Sequence, residues 1–61
     1  MNKSETKAVD NLGVYIAWGV DDAAARGLSA LIRAARTNKS REALMEVAKG
    51  WDLINHPDFI I

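Results

Sequence analysis

The sequence holds a single imidazole, His56, set directly before the only proline, Pro57. A catalytic imidazole needs a nucleophile to activate and a carboxylate to orient it. Asp52 stands one helical turn upstream and could orient the ring, a pairing that is common by chance, but no serine, cysteine or acid lies at motif spacing. Cysteine is absent and there is no second histidine, which excludes a disulfide framework and cysteine-ligated zinc. A glycine-rich phosphate loop and a paired-carboxylate motif are also missing. We therefore expect no catalytic residue, no cofactor and no metal, with His56 serving as a capping or packing residue.

A second chemistry is basic. Arg26, Arg33, Arg36, Lys39 and Arg41 occupy a stretch with no acid between Asp22 and Glu42. On a helix, Arg26, Arg33 and Arg36 share one face with Ser29, a pattern that suits phosphates or an acidic protein partner. Against nucleic acid stand the lack of interleaved aromatic residues, the lack of asparagine or glutamine placed to read bases, and a chain of zero net charge, eight basic residues against eight acidic. A helix-turn-helix does not fit, because the turn follows a complete helix and joins it to the next as a hairpin. A solvated face is the plain alternative.

The third chemistry is apolar. Between Asp10-Asn11 and Asp21-Asp22 the chain reads LGVYIAWGV, with one hydroxyl as its only polar side-chain group. The run is far shorter than the about 20 apolar residues of a membrane span, and a role at a lipid surface is disfavoured by its few flanking lysines and the two acids that close it, so no membrane partner is expected. It also fails as a secretory signal, since Glu5 and Asp10 offset Lys3 and Lys7, and two aspartates separate it from the alanines at 23–25. At about 100° per residue, Val9, Leu12, Ile16 and Val20 fall in one sector. Val14 and Trp18 project from the opposite side, with Tyr15 flanking them. Either a third helix or the C-terminal tail covers them, or they form an interface with a second copy or another protein. Tyrosine and tryptophan give large contact area at low entropic loss, which suits an interface anchor.

Three helices must position these groups. The first is expected over about residues 4–20, capped by Ser4 or Asn2, with Glu5 in its first turn. The second, over about 22–36, is rich in alanine, the best helix former, and carries Ala24, Leu28, Leu31, Ile32 and Ala35 on one face. Carrying the helical phase through without a break sets the two apolar stripes roughly 80° apart, so a kink or break is expected near Gly19 to Asp22. Thr37-Asn38-Lys39-Ser40 reads as a turn, with Asn38 in the left-handed conformation and Ser40 capping a third helix over about 41–55. That helix offers Leu44, Val47, Ala48 and Trp51 to the core, is weakened at Gly50, which marks either its end or a turn of slack, and stops at the latest at His56-Pro57. The fold class is all-α: a single domain over residues 1–61, built as a helical hairpin with a kinked or broken first arm or as a three-helix bundle, with a short apolar tail over 57–61.

At 61 residues and 49% apolar composition, such a domain hides only about 60% of its unfolded surface, and self-association is the readiest further source of stability. The tail ends in Phe59-Ile60-Ile61, either folded back into a groove or free for a partner that captures a chain end. We expect a cytoplasmic interaction protein that occupies a surface on another protein or on itself. Its size and composition suit a small bacterial or phage accessory protein. Val14, Tyr15, Trp18, Phe59 and Ile61 are the expected partner-binding residues. The alternative is a nucleic-acid-associated regulator working through Arg26, Arg33, Arg36 and Arg41.

Overall fold

The computed structural model describes all residues, 1–61, as three α-helices with no strand. Helix α1 spans Lys3–Ala17, α2 spans Asp21–Ala34 and α3 spans Asn38–Gly50. The central helix packs against both others, while the backbones of α1 and α3 stay apart. Residues 51–61 continue as a series of turns. The all-α expectation holds in its three-helix form, and the break after the first helix falls where the phase shift places it.

Each boundary has a local cause. At the start of α1 the Asn2 side chain accepts from the Glu5 N–H at 2.8 Å and the Glu5 carboxylate accepts from the Asn2 N–H at 2.9 Å, a complete capping box. At its end Gly19 takes φ +79°, which glycine adopts without steric strain. The Gly19 and Val20 amides turn back to the carbonyls of Ile16 and Tyr15 at 3.1 and 2.8 Å, the bonding of a Schellman motif. Helix α2 opens without a side-chain cap; Asp21 and Asp22 stand in its first turn, where their charge favours the positive helix pole.

The second turn lies two residues earlier than expected. Thr37, not Ser40, caps α3 by accepting from the Ser40 N–H at 3.1 Å, and Asn38 is helical rather than left-handed. Ala35 leaves α2 in an extended conformation, and Arg41 holds its carbonyl at 2.8 Å. The third helix ends at Gly50, the earlier of the two stops its sequence offers and five residues before the expected bound at 55. There Asp52 takes the left-handed conformation at φ 59°, and the Asp52 and Leu53 amides return to Lys49 and Ala48 at 3.1 and 2.9 Å. It is a second Schellman motif, closed without glycine at the left-handed position.

The core is assembled from unequal shares. Helix α2 and the residue after it contribute Ala24, Ala25, Leu28, Ile32 and Ala35; α3 contributes Leu44 and Ala48; the tail contributes Leu53; α1 contributes only Leu12. Val9 and Ile16 pack against this cluster half-buried, but Val20, expected in the same stripe, lies beyond the helix and is exposed. Small residues on α2 bring α1 close. A Cβ placed on Gly27 would stand 2.5 Å from a methyl of Leu12, so alanine there would displace a core side chain.

Candidate docking surface

The sector of α1 opposite Leu12 faces solvent along its whole length. Lys3, Lys7, Asp10, Asn11, Val14 and Trp18 are all exposed on it, with Tyr15 at its margin. No helix and no part of the tail lies over these residues. Trp18 is 76% exposed, far beyond Val14, Tyr15 and Val20, which are each slightly under half exposed. Leaving an indole ring in water forgoes stabilisation of about 2 kcal/mol. The turn that carries it is fixed by three backbone hydrogen bonds, from the amides of Trp18, Gly19 and Val20. Trp18 is thus an exposed ring on a well-defined backbone.

The expected partner-binding residues divide into two groups. Val14, Tyr15 and Trp18 come together on the outer side of α1 and the turn after it. Phe59 belongs elsewhere, half-buried against the core, and Ile61 is exposed at the end of the tail. The tail folds back along α2, the packing alternative raised by its composition. Asp58 pairs with Arg26 at 3.1 Å, and the Ile60 carbonyl accepts from Arg33. Arg26 and Arg33, the two residues the tail engages, bracket Ser29, which is buried to 1% exposure. Ser29 was expected on the solvated arginine face. Its hydroxyl is satisfied within the helix, donating to the Ala25 carbonyl at 2.8 Å.

That folding-back also changes the basic face. Arg26 and Arg33 are engaged by the tail, and Arg41 is half-buried, bonded to the Ala35 carbonyl and to Asn38. Arg36 and Lys39 are exposed with no hydrogen bond or ion pair from their side chains. Only two of the five clustered cations stand free of a protein partner. Beside Arg36 lies a shallow groove of about 420 Å³ between the start of α1 and the start of α3, where Ser40 donates to Glu5 at 3.1 Å. The Asn2 amide, and then the Ser40 hydroxyl, hold the Glu5 carboxyl below its ordinary value of 4.5. The groove therefore already contains its own anion.

His56 is held by partners other than Asp52. Its Nδ1 accepts from the Asp58 N–H at 3.0 Å and its Nε2 faces the Asp22 carboxylate at 3.5 Å. Asp22, His56 and Asp58 present ligand-type atoms within 4.8 Å of one another, a cluster that spacing in the sequence does not reveal because most of α2 and all of α3 separate Asp22 from His56 along the chain. Donor chemistry argues for a clasp over a cation site. An Nδ1 that accepts a backbone hydrogen bond requires the neutral ring to carry its proton on Nε2, where a metal would need the lone pair. The second ring nitrogen of a metal-bound histidine ordinarily donates, and here it accepts. His56 therefore fastens the tail to the first turn of α2, a packing role in keeping with the expectation for this residue.

No family model, characterised protein or solved structure matches this chain. No helix is long and apolar enough to cross a membrane.

Proposed function

We infer that this protein is a small helical interaction module that acts by occupying a surface on another protein, as an inhibitor, adaptor or assembly factor. The observation that carries the inference is Trp18 at 76% exposure, flanked by Val14, Tyr15 and Val20 on a turn fixed by the backbone. Interfaces draw much of their affinity from a few aromatic anchors at the centre of a patch. With its backbone already fixed by the turn, Trp18 has only side-chain freedom left to lose on docking. The absence of cysteine agrees with work in a reducing cytoplasm.

The alternative, a nucleic-acid regulator, draws on Arg36 and Lys39 alone once Arg26, Arg33 and Arg41 have protein partners. Two phosphate contacts give a shallow salt dependence and weak binding. Capture from host extract with the wild type, Trp18→Ser and Arg36→Ser separates the two. Docking through α1 is expected to lose its captured partners in Trp18→Ser and keep them in Arg36→Ser. Partners retained by Trp18→Ser would overturn this function.

A further inference from the structure

We propose that His56 is a proton-operated switch on the basic face of α2: its neutral ring leaves Asp58 paired with Arg26, and its charged ring draws the Asp58 carboxylate away and frees that arginine. Nothing in this switch depends on the docking role of α1. Pro57 has no N–H, so the first amide the ring can meet beyond its own residue is that of Asp58. Nδ1 accepts from that amide at 3.0 Å, while the Asp58 carboxylate reaches over to Arg26 at 3.1 Å. Both ends of Asp58 are engaged, and the imidazole holds one of them.

A proton added at Nδ1 takes away the acceptor that the amide uses. Two donors would then face each other at 3.0 Å, beside a ring whose side chain is only 21% exposed. The new charge helps at Nε2, which faces Asp22 at 3.5 Å, but the Asp22 side chain is 68% exposed and so loose a pair is largely screened. The conflict at Nδ1 decides. The other charged group at the ring is the Asp58 carboxylate, which has an oxygen within 4.8 Å of a ring nitrogen. No charged group of α1 or α3 bonds to the ring, Lys49 and Glu46 pair with each other, and Arg26 is joined to it only through Asp58. Turning the carboxylate from Arg26 to the Nδ1 proton gives the charged ring an acceptor of opposite sign. Arg26, exposed on the outer face of α2, is then left without a partner.

The exchange is local. The His56 amide donates to the Leu53 carbonyl and the Phe59 amide to the His56 carbonyl, each at 3.0 Å, and neither bond involves the ring. Phe59 remains packed against the core. Acid therefore adds Arg26 to the free cations Arg36 and Lys39, while Arg33 keeps the Ile60 carbonyl.

Nuclear magnetic resonance of the isotope-labelled full chain, from about pH 7.5 to about pH 5, tests the exchange, because over that range an imidazole and not a carboxylate ordinarily changes charge. At the alkaline end, long-range spectra of the ring are expected to show its proton on Nε2. On acidification the Asp58 amide and the Arg26 guanidinium signals are expected to shift along the same one-proton curve as the ring. In His56→Asn the side-chain carbonyl accepts the Asp58 amide as an Asx turn and takes up no proton, so both signals are expected to stay flat. In Asp58→Asn the ring still titrates and the Arg26 signal is expected to stay flat. Far-UV circular dichroism reports whether each variant keeps its helices; should one unfold, the wild-type curves alone decide. A ring proton on Nδ1 at the alkaline end would overturn the switch. So would an Arg26 signal that ignores the titration of the ring, or an Arg26 shift that persists in His56→Asn.

Discussion

Helix α1 ends Ala17-Trp18-Gly19-Val20 and α3 ends Gly50-Trp51-Asp52-Leu53, and the same backbone hydrogen bonds close both. Each has a tryptophan at the C-cap, a left-handed residue next and an apolar residue after it. The surroundings of their side chains differ. Trp51 is half-buried, with its ring 3.6 Å from the point where a Cβ on Gly13 of α1 would stand, and Leu53 is 1% exposed. Trp18 touches no comparable surface, and Val20 is 42% exposed. One device of secondary structure is used twice, once to seal the core and once to hold apolar groups in water. The contrast teaches that helix-ending chemistry sets where a side chain points but not whether anything meets it.

The largest effects should come from the sealed end. Leu53→Ala removes most of a fully buried side chain that joins tail to helices, and is expected to destabilise the fold by about 2–5 kcal/mol. In so small a domain that is enough to unfold much of the population at room temperature. The matching change at the open end, Val20→Ala, should shift stability by no more than about 0.5 kcal/mol. Urea denaturation followed by circular dichroism measures both. Equal losses at the two positions would break the contrast.

The two tryptophans come next. Trp51→Ala is expected to destabilise by about 2–3 kcal/mol, less than a fully buried ring because Trp51 keeps one edge in water. Trp18→Ser should change stability by about 0.5 kcal/mol or less while abolishing partner capture. Each protein then retains one indole, so fluorescence sharpens the comparison. The remaining Trp51 should emit at shorter wavelength than the remaining Trp18 in dilute solution.

How far these differences could be seen in advance depends on the interaction that causes them. Helical periodicity separates Leu12 from Val14 and Trp18 because that separation is set by 3.6 residues per turn. The same rule places Leu28, Ile32, Leu44 and Ala48 inward, where the structure has them. It cannot choose between Gly50 and His56-Pro57 as the end of α3, because Trp51 and Ile54 continue the apolar spacing past Gly50. The helix stops where Asp52 enters the left-handed region, which asparagine and glycine signal more strongly than aspartate. It places Ser29 with the arginines for a related reason. The residue is buried between two arginines that a tail with no period of its own engages. The clasp of Asp22, His56 and Asp58 and the disarming of Arg26 and Arg33 are long-range consequences of that tail. Local spacing carries no record of them.

Exchanging the residues at the left-handed positions probes the backbone beneath the comparison. Asp52→Gly removes the crowding of a Cβ at φ 59° and should stabilise by about 0.5–1 kcal/mol, the relief exceeding the added freedom of the unfolded chain. Gly19→Ala imposes the same crowding at φ +79° and should destabilise by about 1 kcal/mol, although nothing lies within 4 Å of the added methyl. Opposite signs in urea denaturation would show that both ends draw on one backbone device. A stabilising Gly19→Ala would refute it.

The smallest effect lies at the far end of α1, which decides how firmly the open face is presented. The Glu5 carboxylate accepts from the Asn2 amide and the Ser40 hydroxyl, so it ties the start of α1 to α3 as well as capping it. Those bonds favour the charged form and lower the folded-state value below the ordinary 4.5. The sign follows from linkage: a group held below its unfolded value adds stability above that value and loses it as pH falls through the lower, folded one. Melting temperatures of the wild type and Glu5→Gln should therefore differ at neutral pH, with the wild type higher, and converge as the solution is acidified below about pH 4.5. Because Glu5 lies at the rim of the molecule, the gap should be modest. A gap unchanged down to pH 2 would mean that the charge on Glu5 is not what fastens α1. The helix that carries Trp18 would then rest on Leu12 and its half-buried neighbours alone.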